Sequence, residues 1–213
     1  VNGRDVTPRI ALLAKAPVPG HAKTRLIPAL GVARAAALAE RMLRHAAAQA
    51  AAAAPAGVTL WATPDASHPA FLQLQALHGL ALAVQPQGDL GTRMARAFEH
   101  AFSTSAGPVL LMGSDCPALD AAVLRQAAAA LRDQAAVFVP ALDGGYALVG
   151  LRAAPPGLLQ ALFADMAWST PRVMADTRAR LATAGVAHAE LHALADIDEA
   201  ADLVHLPPGW LAT

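Results

Sequence analysis

Cysteine is nearly missing from this chain. Cys116 stands alone among 213 residues, which excludes a disulfide framework and any multi-cysteine zinc site. Charge is scarce too. Asp, Glu, Lys and Arg make up 15% of the chain, and 16 basic residues cancel 16 acidic ones. No global basic field therefore draws the protein to nucleic acid or anionic lipid. Long apolar runs are also absent. The hydrophobic fraction is 55%, but 56 alanines supply much of it, and stretches such as residues 46–57 are short and interrupted by Gln49. None approaches the ~20 strongly apolar residues that cross a bilayer. The opening VNGRDVTPRI has no apolar core and no cleavage pattern, so no signal peptide is expected and the cytoplasm is the expected location.

What is present is a chain apolar enough to exclude intrinsic disorder and long enough to bury a core without staples. Its length predicts one large domain over residues 1–213. Within the basic set the division is uneven: 14 Arg and two Lys. The lysines, Lys15 and Lys23, fall eight residues apart in one loop. In a chain that otherwise uses Arg as its cation, this pair points to a need for compact, flexible ammonium groups.

Apolar runs alternate with helical patterns. Strands are expected at 9–14, 58–62, 80–85, 109–112, 137–141, 146–151 and 186–191. Helices are expected at 32–54, 69–78, 89–103, 119–132, 156–163, 171–184 and 199–206. This alternation predicts a three-layer α/β/α fold with a mostly parallel sheet, interrupted by one hairpin over 137–151. Ligands of such open sheets sit at the carboxyl ends of the strands. Three polar clusters fall there.

After the first strand comes KAPVPGHAKTRL, residues 15–26. Pro and Gly20 hold the backbone open, and Lys15, Lys23 and Arg25, with Thr24 between them, can neutralise an anion such as polyphosphate. A Walker loop is excluded because Ala22, not Gly, precedes Lys23 and Thr24. The alternative is an ordinary solvated basic loop. After the fourth strand comes Gly113-Ser114-Asp115-Cys116-Pro117. A carboxylate at a strand tip suits Mg²⁺ or Mn²⁺; alternatively Asp115 or Asp120 caps the next helix. Cys116 reads as a small buried residue. After the last strand, Asp196 and Asp198 alternate around Ile197, so that one can face the same metal, unless Asp198 caps the final helix.

Further polar groups surround these clusters. Asp143-Gly144-Gly145 is a hairpin signal in which Asp143 can also serve as a base or hydroxyl acceptor, and the glycines permit close approach. Arg93, in GDLGTRM, is either a phosphate ligand or a surface cation. Trp168-Ser169-Thr170-Pro171 reads as a helix start. The eight histidines show no metal spacing.

Taken together, KAPVPGHAKTRL, GDLGTRM, GSDCPAL, PALDGGYALVGL, WSTPRV and DIDEAADL, in this order, resemble the bacterial DUF2064 family over roughly residues 10–203. A more distant similarity is to the molybdenum-cofactor and 2-phospho-L-lactate guanylyltransferases. The resemblance implies a GT-A (nucleotide-diphospho-sugar transferase) fold and a nucleotide or nucleotide-sugar substrate with a small acceptor. It implies Asp115 and Asp198 as metal-binding carboxylates and Lys15, Lys23 and Arg25 as the phosphate loop. It brings Gly144, Gly145, Trp168, Ser169 and Thr170 into the substrate-binding set, with Asp115 and Asp143 as catalytic candidates. The expected reaction is metal-dependent glycosyl transfer. Nucleotidyl transfer to a phosphorylated acceptor is the alternative, and a non-catalytic nucleotide-binding module the third. Two departures count. The loop lacks the GGxSxRxG spelling of sugar nucleotidyltransferases, and GSDCP is not a strict Asp-x-Asp.

Overall fold

The computed structural model describes residues 7–55, 57–104 and 106–211. Seven strands form one sheet in the order β3-β2-β1-β4-β6-β5-β7. They are β1 (Arg9–Lys15), β2 (Val58–Thr63), β3 (Ala81–Val84), β4 (Val109–Met112), β5 (Ala136–Pro140), β6 (Tyr146–Leu151) and β7 (His188–Glu190). Only β6 runs against its neighbours, pairing antiparallel with both β4 and β5. The other pairings are parallel. The expected hairpin is therefore the element that reverses the sheet.

The helices are α1 (Ile27–Leu30), α2 (Val32–Ala53), α3 (Pro69–His78), α4 (Leu90–Thr104), α5 (Ala121–Ala130), α6 (Leu158–Phe163) and α7 (Val173–Thr183). Successive strand residues point to opposite faces, and the core divides accordingly. Ile10, Leu12, Leu60, Leu110 and Val137 pack under α2, α3 and α5. Ala11, Trp61, Leu111, Phe138 and Val149 pack under α4, α6 and α7. This is the three-layer arrangement the sequence pattern predicts.

Local chemistry sets the helix ends. α2 buries Ala35, Leu38, Met42, Ala46, Ala50 and Ala53 on one stripe and stops before Pro55, which cannot continue it. α5 begins at Asp120, whose side chain accepts from the Ala122 and Val123 N–H groups. The capping alternative raised for Asp115 thus belongs to Asp120, and Asp115 is free for other work. The expected final helix is corrected: residues Ala200–His205 form a 3₁₀ helix. Glu199 is its N-cap, and Asp202 accepts from the N–H groups of Asp198 and Glu199. Asp198 does not cap it. The two helices before β7 also start two residues later than expected, at Leu158 and Val173.

A third, smaller core cements the chain's end to α2. Ile197 is fully buried with Leu26, Ala35, Leu38 and Met42, and Leu203, Leu206, Trp210 and Leu211 pack against them. Arg41 lies over the Trp210 ring, 5.1 Å from its centroid, and donates to the Gly209 and Trp210 carbonyls. This packing presses residues 196–199 against the loop after β1. Among the described residues no helix is long and apolar enough to cross a membrane.

Candidate active site

Parallel strands β1, β2, β3, β4, β5 and β7 end on one edge of the sheet, and a cleft of about 560 Å³ opens along it. Its walls include Lys15, Lys23, Thr24, Arg25, Arg93, Asp115, Asp143, Gly145, Trp168, Ser169, Thr170 and Asp198. Lys15 with residues 21–25, residues 113–116, and Asp196 with Asp198, separate in sequence, share this one cleft. Gly20 and Gly144 lie outside its lining. Gly20 has a positive φ of 80° and Gly144 one of 91°. A β-carbon on Gly144 would stand 2.2 Å from the Pro171 carbonyl oxygen, so this glycine lets the β5–β6 turn pack against the entry to α7.

At the centre is an ion-pair cluster. Lys23 Nζ lies 2.9 Å from Asp115 Oδ1 and 2.6 Å from Asp198 Oδ1. Arg25 takes the other Asp198 oxygen at 2.7 Å and Glu199 Oε1 at 3.1 Å. The Lys23 side chain is 8% exposed. Burial alone would lower its pKa, but the two carboxylates more than offset that and raise it, so the ammonium stays charged. Asp198 also raises the pKa of Arg25, helped by the hydrogen bond to Glu199. Lys23 and Ser169 both have left-handed backbones, with φ of 45° and 60°. Side chains rarely adopt this region, and such strain gathers at functional sites.

The two ends of the cleft differ in charge. Toward β1–β3 it is lined by Lys15, Thr63, Gln85 and Arg93. Gln85 donates to the Ala14 and Trp61 carbonyls, and Arg93 donates to the Gly88 carbonyl and, at 3.4 Å, to Gln85 Oε1. Toward β5–β7 it is lined by Ala141, Asp143, Tyr146, Trp168, Thr170 and Asp196. The bridge between Ala141 and Leu194 holds Asp143 and Asp196 near each other. Burial, and then the negative charges of Asp143, Asp198 and Asp202, push the Asp196 carboxyl up to about 6. Asp143 Oδ1 accepts from the Gly145 N–H at 2.8 Å, the turn chemistry expected of it, and the residue lines the cleft as well.

Cys116 is buried, and burial pushes its thiol up to about 11, so it is inert at neutral pH. Sequence reasoning passed over Thr63, Gln85 and Tyr146. Gln85 stands just past a strand end, the position that flagged the other clusters. Tyr146 is the chain's only tyrosine. Its hydroxyl is buried without a hydrogen-bond partner among the described residues, and burial raises its pKa. A buried unsatisfied hydroxyl costs roughly 1–3 kcal/mol. Tyr146→Phe is therefore expected to raise stability by about 1 kcal/mol, measured as a higher urea midpoint at unchanged m-value.

Mg²⁺ or Mn²⁺ fits the donor set. Asp115 Oδ1 and Asp198 Oδ1 already converge on one cation. Among the described residues no group of three His, Cys, Asp or Glu side chains stands ready to hold a metal alone. Mg²⁺ is commonly bound through one or two carboxylates, with substrate phosphates and water completing its shell.

The fold and the cleft define an α/β protein of the nucleotide-diphospho-sugar transferase fold. A family model described as an uncharacterized protein conserved in bacteria (DUF2064) matches residues 34–170, and the chain belongs to this family. No curated protein matches it. Among solved structures, the chain is 29% identical to a candidate nucleotide-diphospho-sugar transferase of Desulfovibrio desulfuricans G20, with a TM-score of 0.82 over 93% of this chain and 85% of that one. A Methanothermobacter nucleotidyl transferase is 14% identical, with a TM-score of 0.60 over 95% and 98% of the two chains. A CMP:2-keto-3-deoxy-manno-octonic acid synthetase complexed with CTP is also 14% identical, with a TM-score of 0.54 over 93% and 95%. At 14% the likeness is one of fold.

Proposed function

We propose that this protein is a metal-dependent transferase acting on a nucleotide-activated substrate, and that its reaction is glycosyl transfer from a nucleotide-diphospho-sugar. The observation that carries this reading is the contact of Lys23 and Arg25 with Asp115 and Asp198 inside one cleft at the carboxyl edge of the sheet. Glycosyl transfer frees a nucleoside diphosphate, and negative charge grows on its phosphate oxygens as the sugar departs. Bound Mg²⁺ or Mn²⁺ would supply Lewis-acid stabilisation of that charge. Asp115 and Asp198 would hold the ion. Lys15, Lys23, Arg25 and Arg93, with the Thr24 hydroxyl, would bind and orient the phosphates. Asp143, on the opposite wall, would take the proton from an acceptor hydroxyl. Trp168, Ser169, Thr170 and Gly145 would shape the sugar and acceptor end.

The charge division favours glycosyl over nucleotidyl transfer to a phosphorylated acceptor. The β5–β7 side of the lining holds Asp143 and Asp196 and, among the described residues, no Lys or Arg. Like charges there would repel an acceptor phosphate. The nature of the Desulfovibrio relative supports the same reading. The deciding experiment is a panel of the four NTPs and UDP-, GDP- and dTDP-sugars, with Mg²⁺ and with Mn²⁺, read as binding and as turnover of a labelled donor. Sugar-nucleotide turnover is the expected result. Pyrophosphate release from an NTP establishes nucleotidyl transfer instead, and binding of nucleotides without any turnover establishes a binding module.

Lys15 gives a narrower test, because it lines the cleft outside the Lys23–Asp198 cluster. Lys15→Ala is expected to weaken nucleoside diphosphate binding roughly tenfold or more, the worth of one charge-assisted hydrogen bond. Nucleoside binding should not change. Equal losses for both ligands in calorimetry would remove Lys15 from the phosphate site.

A further inference from the structure

The Lys23 ammonium stands where two carboxylates from distant parts of the chain meet. It lies 2.9 Å from Asp115 Oδ1 and 2.6 Å from Asp198 Oδ1. The position is held from several directions. Lys23 adopts a left-handed backbone conformation at the N-cap of a 3₁₀ turn, Thr24–Leu26. Leu26, two residues from Thr24, is fully buried beside Ile197, the neighbour of Asp198. The Ile197 N–H donates to the Asp115 carbonyl at 2.9 Å, tying the two acidic segments together. Arg25 occupies the second oxygen of Asp198, leaving Oδ1 turned to Lys23.

These two oxygens are the ones a divalent ion would need. One small space between them cannot hold an ammonium and a divalent cation together, because the cations repel and compete for the same lone pairs. We propose that the Lys23 ammonium and the divalent cation occupy the Asp115–Asp198 oxygen pair in alternation, with Lys23 standing in for the metal in the free protein. This rests on the metal-binding reading of the cleft given above. When the metal enters, the flexible four-carbon stem of Lys23 must carry its charge to another anion, since a nearly buried charge without a partner is costly. The phosphates of the donor supply that anion. Metal and polyphosphate therefore help one another to bind, and the coupling is reciprocal. An arginine would not substitute, because its planar fork cannot sit as a point charge between two converging oxygens.

The test measures metal binding without nucleotide. Mn²⁺ is titrated into the full chain and free Mn²⁺ is read by electron paramagnetic resonance, for the wild type, Lys23→Met, Lys23→Gln and the double variant Lys23→Met/Asp115→Asn. Two replacements of Lys23 guard against one that folds poorly. The expected result is at least tenfold tighter Mn²⁺ binding in both single variants than in the wild type, lost again in the double variant. Equal or weaker binding once Lys23 is removed, with Asp115→Asn still abolishing it, overturns the alternation and leaves the metal site standing. No saturable site in any protein, or one insensitive to Asp115→Asn, overturns both.

Discussion

Asp115→Ala is expected to abolish the dependence of nucleotide binding on Mg²⁺ while the fold survives. The side chain is 49% exposed and lies outside the buried core. Lys23 keeps Asp198 as a partner after the change, so the loop is not left with a bare buried charge. The loss falls on the cation instead, because one of the two converging oxygens has gone. Removing a group that stabilises transition-state charge costs roughly 10²–10³ in turnover, and at least the lower figure is expected here. The measurement is a pair of nucleotide titrations, with Mg²⁺ and with EDTA. The wild type should separate the two curves and the variant should superimpose them. Curves that stay equally far apart in the variant would place the metal elsewhere and dismantle the proposed site.

Gly91→Ala is expected to be a severely damaging small change in the scaffold. Gly91 is buried in the first turn of α4. A β-carbon there would come within 2.2 Å of the Phe163 carbonyl oxygen and 2.9 Å of Trp168 Nε1. The first of these is backbone at the end of α6, and backbone yields poorly. Overpacking of this kind costs about 3 kcal/mol at its upper range, or a fall of about 6–12 °C in Tm for a chain of this size. Trp168 lines the cleft and packs at right angles to Tyr146, with ring centroids 6.4 Å apart. Relief of the clash by a shift of Trp168 would therefore also disturb ligand binding. Thermal melting and nucleotide calorimetry on one sample check both effects. An unchanged Tm would show that α4 and α6 have slack between them.

The strands were legible because their chemistry is local. Runs such as VLLM at Val109–Met112 are apolar at every position, as a strand covered on both faces requires. Asp143-Gly144-Gly145 announced the reversal that β6 makes. The terminal helix was less legible. Its acidic start was plain, but whether Asp198 or Glu199 capped it depended on where Lys23 and Arg25 would draw the Asp198 carboxylate, and those residues are more than 170 positions away. Tyr146 and Gln85 escaped notice for a related reason. Each is ordinary in its own segment and acquires meaning only from neighbours in space.

The order of polar clusters along the chain therefore established by itself that the β1 loop, the β4 tip and the segment after β7 all lie at strand carboxyl ends. Parallel strands carry those ends to one edge, and strand direction follows from alternating helices, a property written locally. Which oxygen meets which cation is different. That pairing was decided only when the C-terminal segment packed Ile197, Leu203 and Trp210 against α2, and the stranding of the Tyr146 hydroxyl only when its ring packed against Phe138 and Trp168. Distances of a few ångströms between residues so far apart depend on the packing of the whole core, and no local pattern encodes them.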